Sequence, residues 1–309
     1  MKKIRMKPVV SMESAFDRFV LTKRAKGIKD KTATTYRQHL SAVSHHLNIQ
    51  KEIEKLTKED LNQMIVSMRA SGLSPNSIRS YVITLRAFFS WCRDEGIPTP
   101  TLDSYKGEET IKETYADDEL RLLLKRPNVK KCSFAEYRSW VIVNFLVNAG
   151  SRAATIRNIQ IRDLDLANKV IYARHTKNSR HLVIPLCGEL CAILRDYLNI
   201  RGGDTSDYLF CNECGEQLTE NALRCSIADY NRRRGVQKTS IHLFRHTFAR
   251  KYLIDCGGDA FTLQRLLGHS TLDMTRHYCS IFDADIAKNY DELSPLARMK
   301  PAERIKMRH

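Results

Sequence analysis

At 309 residues and 42% hydrophobic composition, the chain is long enough to bury two ordinary cores. Its formal charge of +16 implies an anionic partner, and both halves are basic: Lys and Arg outnumber Asp and Glu by 18 to 9 over residues 1–100 and by 33 to 26 beyond them. No apolar run is long enough to span a bilayer, no signal segment follows the basic start, and nine irregularly spaced cysteines read as reduced thiols, so a membrane-spanning or secreted disulfide-framework protein is excluded and a soluble cytoplasmic one is expected.

Residues 1–10 form a basic tail, too short to fold by themselves. Residues 11–96 then read as four helices. The first places Phe16, Phe19, Val20 and Leu21 near one face and ends at Gly27; the second runs from about Lys31 through Tyr36, Leu40 and Val43. Thr57 followed three residues later by Asp60 predicts a capped start for a third helix, which carries Leu61, Ile65 and Met68 and stops at Gly72. Ser74 as N-cap and Pro75 in the first turn open the fourth, whose stripe is Ile78, Val82, Leu85 and Phe89 and which closes at Gly96.

Residues 97–115 lack apolar periodicity and carry two prolines, which predicts a linker. From 116 to 309 the pattern is mixed α/β. Helices are expected at about 116–126 and 135–149, and strands at 158–163, 169–175 and 181–186, with alternation in Val170 and Tyr172 and in Leu182 and Ile184. The turn between the last two strands holds Thr176, Lys177, Asn178 and Ser179, which sets Lys177 on a hairpin tip. Helices dominate after that, so the fold class is mostly α with a small β-sheet. Cys211 and Cys214 have the spacing of half a zinc site, but a structural zinc needs four ligands and no second pair is spaced for it, so turn chemistry is the simpler account. Cys279 reads as a small packing residue.

The densest chemistry lies near the end. HLFRHTFAR puts His242 and Arg245 at i and i+3, and LLGHSTLDMTRHY puts Gly268 at a helix end, His269 after it and Tyr278 nine residues further on. Arginine offers phosphate a planar fork of donors, histidine handles protons near neutral pH, and a tyrosine can act as nucleophile. A His-x-x-Arg pair alone is commonplace on helix surfaces. With Arg152 in NAGSRAATI and Lys177 in ARHTKNSRHLVIPL, however, six elements stand in one order and spacing. In that order the chain resembles the tyrosine recombinases of the phage-integrase and Xer type. It departs from the usual pattern at Thr155, where an acidic residue commonly supports the first arginine, and at Ser151, where an apolar residue is common.

The resemblance implies an N-terminal all-helical core-binding domain, residues 11–96, and a tyrosine-recombinase catalytic domain, residues 116–309, with a helical tail from about 281. It implies a 3′-phosphotyrosine intermediate on Tyr278, with Arg152, Lys177, His242, Arg245 and His269 assisting. No nucleotide cofactor or metal is called for, because the covalent bond keeps the phosphodiester energy. The implied partners are double-stranded DNA and further copies of the chain, two per site and four in synapsis, with no membrane. Thr35, Arg37, Asn76, Ser77, Arg79 and Arg86 on the second and fourth helices are the expected DNA contacts. The lack of an arm-binding domain before residue 11 suggests a simple-site enzyme. Phage integration, transposon movement and chromosome-dimer resolution all fit these residues. A type IB topoisomerase-like enzyme and a DNA-binding module with an unused active site remain open.

Overall fold

In the computed structural model, which describes residues 10–107, 113–174, 182–269 and 271, the local signals at the start of the chain become four helices. These are α1 (Met12–Ala25), α2 (Asp30–Ser44), α3 (Lys58–Ala70) and α4 (Pro75–Asp94). Caps fix their starts. The Thr57 hydroxyl accepts from the Asp60 N–H at 3.2 Å and the Asp60 carboxylate accepts from the Thr57 N–H at 2.8 Å, satisfying two of the amides that a helix start leaves bare. Ser74 does the same for Ser77 at 3.2 Å. Phe16, Phe19 and Phe88 meet pairwise with ring centroids 5.0–5.6 Å apart, and each fully buried ring is worth roughly 1.5–3 kcal/mol over exposure. Leu21 is 68% exposed, contrary to its expected place on the apolar face. At 100° per residue it lies about 140° around the helix from Phe16.

The chain divides into two units, Met1–Thr110 and Ile111–His309, each with its own core. Leu102 is buried in the first core and Tyr115 in the second. The second unit is mostly helical around a small sheet. Its elements are α5 (Asp117–Leu124), α6 (Phe134–Ala149), α7 (Ala153–Asn158), β1 (Leu164–Asp165), β2 (Val170–Ala173), β3 (Leu182–Pro185), α8 (Gly188–Arg201), α9 (Glu220–Arg233), α10 (Ile241–Ile254) and α11 (Ala260–Leu267). α6 is apolar nearly all round because it is central: α5, α8, α9 and α10 all pack on it.

The three strands are antiparallel in the order β1-β2-β3, with Ile171 opposite Leu164 and Ile184. One strand expectation is corrected. Residues 158–163 are not a strand: Asn158 ends α7 and Ile161–Asp163 is a 3-10 turn, closed by the Asp163 carboxylate accepting from the Gln160 N–H at 3.0 Å. Ile159 and Ile161 still pack on the core, so an apolar pair mimicked a strand whose backbone the aspartate bends. On β2 the core-facing set is Ile171 and Ala173, while Tyr172 is 45% exposed. Cys211 is buried, and Cys214 sits in a turn whose Asn212 side chain accepts from the N–H groups of Cys214 and Glu216.

Candidate active site

The turn after α6 sets the first arginine. Gly150 closes that helix in the left-handed region, at φ 55°, and its N–H donates to the Leu146 carbonyl at 2.8 Å. A Cβ there would fall 2.7 Å from a ring carbon of Phe248 on α10, so only glycine lets the two helices approach. Two residues on, Arg152 is the N-cap of α7, its carbonyl taking the first amides of that helix. Its side chain reaches across 115 residues of sequence, Nη1 donating to the carbonyls of Leu267 and Gly268 at 3.3 Å.

Arg245 arrives at one of these carbonyls, that of Leu267, from α10. It is 2% exposed, with Nη1 donating to the Gly150 carbonyl at 3.0 Å and Nη2 to the Leu267 carbonyl at 2.9 Å. Nη2 also lies 2.6 Å from Nε2 of His269. A guanidinium has only donors, so Nε2 must be the acceptor and the His269 proton is assigned to Nδ1. Burial, followed by the charges of Arg245, Arg152 and His242, pushes His269 down to about 4 from the ordinary histidine value. His269 is therefore neutral at physiological pH.

His269 gets there through its helix end. α11 stops at Gly268, φ 61°, and the His269 N–H returns to the Gln264 carbonyl at 3.0 Å. The start of β3 lies against this turn: a Cβ on Gly268 would touch Leu182 at 3.5 Å and Arg152 Nη1 at 3.8 Å. His242 occupies the exposed first turn of α10, edge-on to His246 with centroids 4.6 Å apart. With Ser151 and Arg152 it lines a cleft of about 700 Å³, whose other wall is the ridge Glu220, Arg224, Ala228 and Arg232 of α9. That ridge, and the Gly150 carbonyl that orients Arg245, were not singled out in the sequence. The four-residue spacing of 220, 224, 228 and 232 was the available signal for the ridge.

Arg152, Arg245, His269 and His242 are thus brought into one neighbourhood. Thr155, at the position where an acid is common, is buried, and its N–H bonds the Arg152 carbonyl at 2.9 Å. The hold on the Arg152 guanidinium comes from the end of α11. Lys177 belongs to the segment joining Ala173 and Leu182, which are paired across the sheet, and it lies outside the described residues. Tyr278, Cys279 and the expected tail from about 281 lie outside them too. In the first unit, the Thr35 hydroxyl donates to the Lys31 carbonyl, Arg37 pairs with Asp17 at 3.7 Å and Ser77 is bound to Ser74. Asn76, Arg79 and Arg86 are exposed on α4. Among the described residues no cluster of three metal-ligating side chains occurs, and no helix is long and apolar enough to cross a membrane.

The phage integrase family model matches residues 113–284, more than half of the chain, and the N-terminal SAM-like domain of phage integrases matches residues 16–96. The chain belongs to the phage integrase family. Among curated relatives it is 26% identical over 292 residues to tyrosine recombinase XerC of Shewanella amazonensis, covering 92% of this chain and 96% of that protein. It is also 26% identical over 284 residues to tyrosine recombinase XerD of Staphylococcus haemolyticus, covering 88% and 95%. Among solved structures, a lambda integrase dimer bound to a COC' core site aligns with TM-score 0.69 at 20% identity, covering 86% of this chain and 97% of that one. The Tn1549 transposon integrase in complex with circular intermediate DNA aligns with TM-score 0.68 at 18% identity, covering 87% and 95%. These structural likenesses carry the fold: mostly helical, with a small sheet in the second unit.

Proposed function

We propose that this family member is a site-specific DNA recombinase that cuts and rejoins duplex DNA through a 3′-phosphotyrosine bond to Tyr278. The observation that carries the reading is the meeting of Arg152, Arg245 and His269 at the end of α11. Two guanidiniums from distant parts of the chain converge there, one of them buried. They suit a phosphate whose non-bridging oxygens gain charge during attack. The XerC and XerD relatives, and the DNA complexes of the lambda and Tn1549 integrases, support the same class of substrate.

In this mechanism the Tyr278 phenol gives up its proton and its oxygen attacks phosphorus. The bond to the 5′ oxygen breaks, and Lys177 supplies the proton that the departing oxygen takes. Neutral His269 contributes its Nδ1–H as a donor and keeps Arg245 in place through Nε2. His242, which lines the cleft, would hold the phosphate or relay the phenol's proton. Strand exchange is the reverse attack by a 5′ hydroxyl of a partner duplex. The energy of the broken bond stays in the phosphotyrosine, so no nucleotide cofactor enters, and the two arginines supply the positive charge. Residues 11–96 would grip the DNA and 116–309 carry the chemistry, joined through 97–115. Two copies would occupy a site and four a synapse, in the cytoplasm.

The test is Tyr278→Phe. DNA affinity should stay close to the native value while the covalent protein–DNA band on denaturing gels disappears, and chelator should leave the native band intact. An adduct that persists in the variant would move the nucleophile elsewhere. Relaxed circles without recombinants from the native protein would favour the topoisomerase alternative.

A further inference from the structure

The first unit carries a feature that the cleavage chemistry does not use. Arg79, Arg86 and Arg93 recur at seven-residue intervals on α4, flanking its buried stripe of Ile78, Val82, Leu85 and Phe89 at about 50–90° around the helix. Each is displaced only about 20° around the axis and about 10.5 Å along it from the one before. The chain beyond α4 turns back along this row. Ile97, Leu102 and Tyr105 pack on the unit's core, and the Thr99 hydroxyl donates to the Phe89 carbonyl at 3.4 Å. At the far end Gly107 comes so close that a Cβ would lie 2.6 Å from Asn76 Oδ1 and 3.2 Å from Arg79 Cδ.

Between helix and returning segment is a concavity of about 340 Å³, with Arg86, Ser90 and Arg93 on one side, Thr101 on the other, and Phe89 and Leu102 also lining it. Several other cations of this unit are compensated: Arg24 pairs with Asp30, Arg37 with Asp17, Lys51 with Asp60 and Lys58 with Asp103. Among the described residues neither Arg86 nor Arg93 makes such a pair. Two guanidiniums and two hydroxyls facing one hollow form a donor-rich site whose natural occupant is a tetrahedral oxyanion.

We propose that Arg86, Ser90, Arg93 and Thr101 hold one backbone phosphate of duplex DNA. The choice of DNA as the source of that phosphate rests on the recombinase reading above. Arg86 is then a backbone anchor and not a base reader: it fixes the first unit on the duplex at a set distance from the bases while carrying no sequence information.

Binding by the full chain should be measured for the native protein, the double variant Arg86→Ala/Arg93→Ala, and Arg69→Ala, which removes an exposed charge away from the hollow. Each is tested on a duplex containing a mapped cleavage site and on a random duplex of equal length. The double variant should weaken both duplexes by the same factor. Its log–log salt slope should be shallower by about 0.9, so that between about 50 and 200 mM salt the native protein loses about 3.5-fold more affinity than the variant. A loss confined to the cleavage-site duplex, or one no larger than that of Arg69→Ala, would overturn the proposal. Inorganic phosphate titrated into the native chain should move the Arg86 and Arg93 side-chain NMR signals together, and no movement would overturn the pocket whatever the DNA result. Native protein that binds no duplex while phosphate still moves both signals would sink the recombinase reading and support the pocket as an oxyanion site.

Discussion

Acidification should weaken the second unit through His269 specifically. The folded site holds this imidazole at about 4, against 6.5 in the open chain, because protonation there would place a cation against Arg245 and Arg152 in a buried position. Its folded pKa is depressed, so the associated stability is complete above about pH 6.5 and is lost as the pH falls toward 4, where the unfolded chain binds the proton more readily. The full shift corresponds to about 3 kcal/mol, of which about 1.3 kcal/mol should be lost between about pH 7.5 and 5.5. Urea unfolding of the native protein and of His269→Gln, which cannot titrate, measures this as the difference between their pH profiles. Trp140 lies in the second core and Trp91 in the first, so a Trp91→Phe background isolates the relevant unit by fluorescence. Parallel profiles for the two proteins, or a His269 NMR titration centred near 6.5, would refute the burial and charge argument. Bound phosphate should raise this pKa, so DNA binding below about pH 6 should take up a proton.

Gly150→Ala should destabilise the second unit by about 1–3 kcal/mol in the same urea assay, through its positive φ and the contact with Phe248, and should also slow adduct formation by tilting the carbonyl that orients Arg245. Lys177→Ala should slow cleavage by roughly two to four orders of magnitude, and a 5′-bridging phosphorothiolate, whose sulfur leaves without a proton, should restore most of the rate. Failure of that rescue in a single-turnover assay would assign Lys177 to binding. Truncation after Asp285 should leave single-site binding in gel shifts but weaken synapsis between two sites. Normal recombination by the truncated chain would exclude a docking role for the tail.

The first four helices were legible because their determinants are local. Thr57 with Asp60, and Ser74 with Pro75, act within one turn, and the apolar stripe of α4 is regular. Errors arose where neighbours in sequence imitate another pattern. Ile159 and Ile161 alternate like a strand, yet the Asp163 carboxylate and the Gln160 amide close a 3-10 turn. Leu21 directly follows Phe19 and Val20 and points the other way. In the site, the residue types and order of Arg152, His242, Arg245 and His269 could be read from the chain. What could not be read is their mutual arrangement, because the contact from Arg152 to Gly268 spans 116 positions and the anchoring groups are backbone carbonyls that every residue possesses.

The end of a helix is a row of carbonyls in want of donors, with about half a negative charge at its tip. At the close of α11 that want is met by the two arginines that an incoming phosphate also needs. Helix terminus and anion therefore compete for one pair of cations, and a guanidinium that swings toward the anion lets go of Leu267 or Gly268. Gly268, in its left-handed conformation, is the joint from which the chain departs toward His269 and, nine residues later, Tyr278. An anion that draws on these arginines would therefore be felt first at the end of α11.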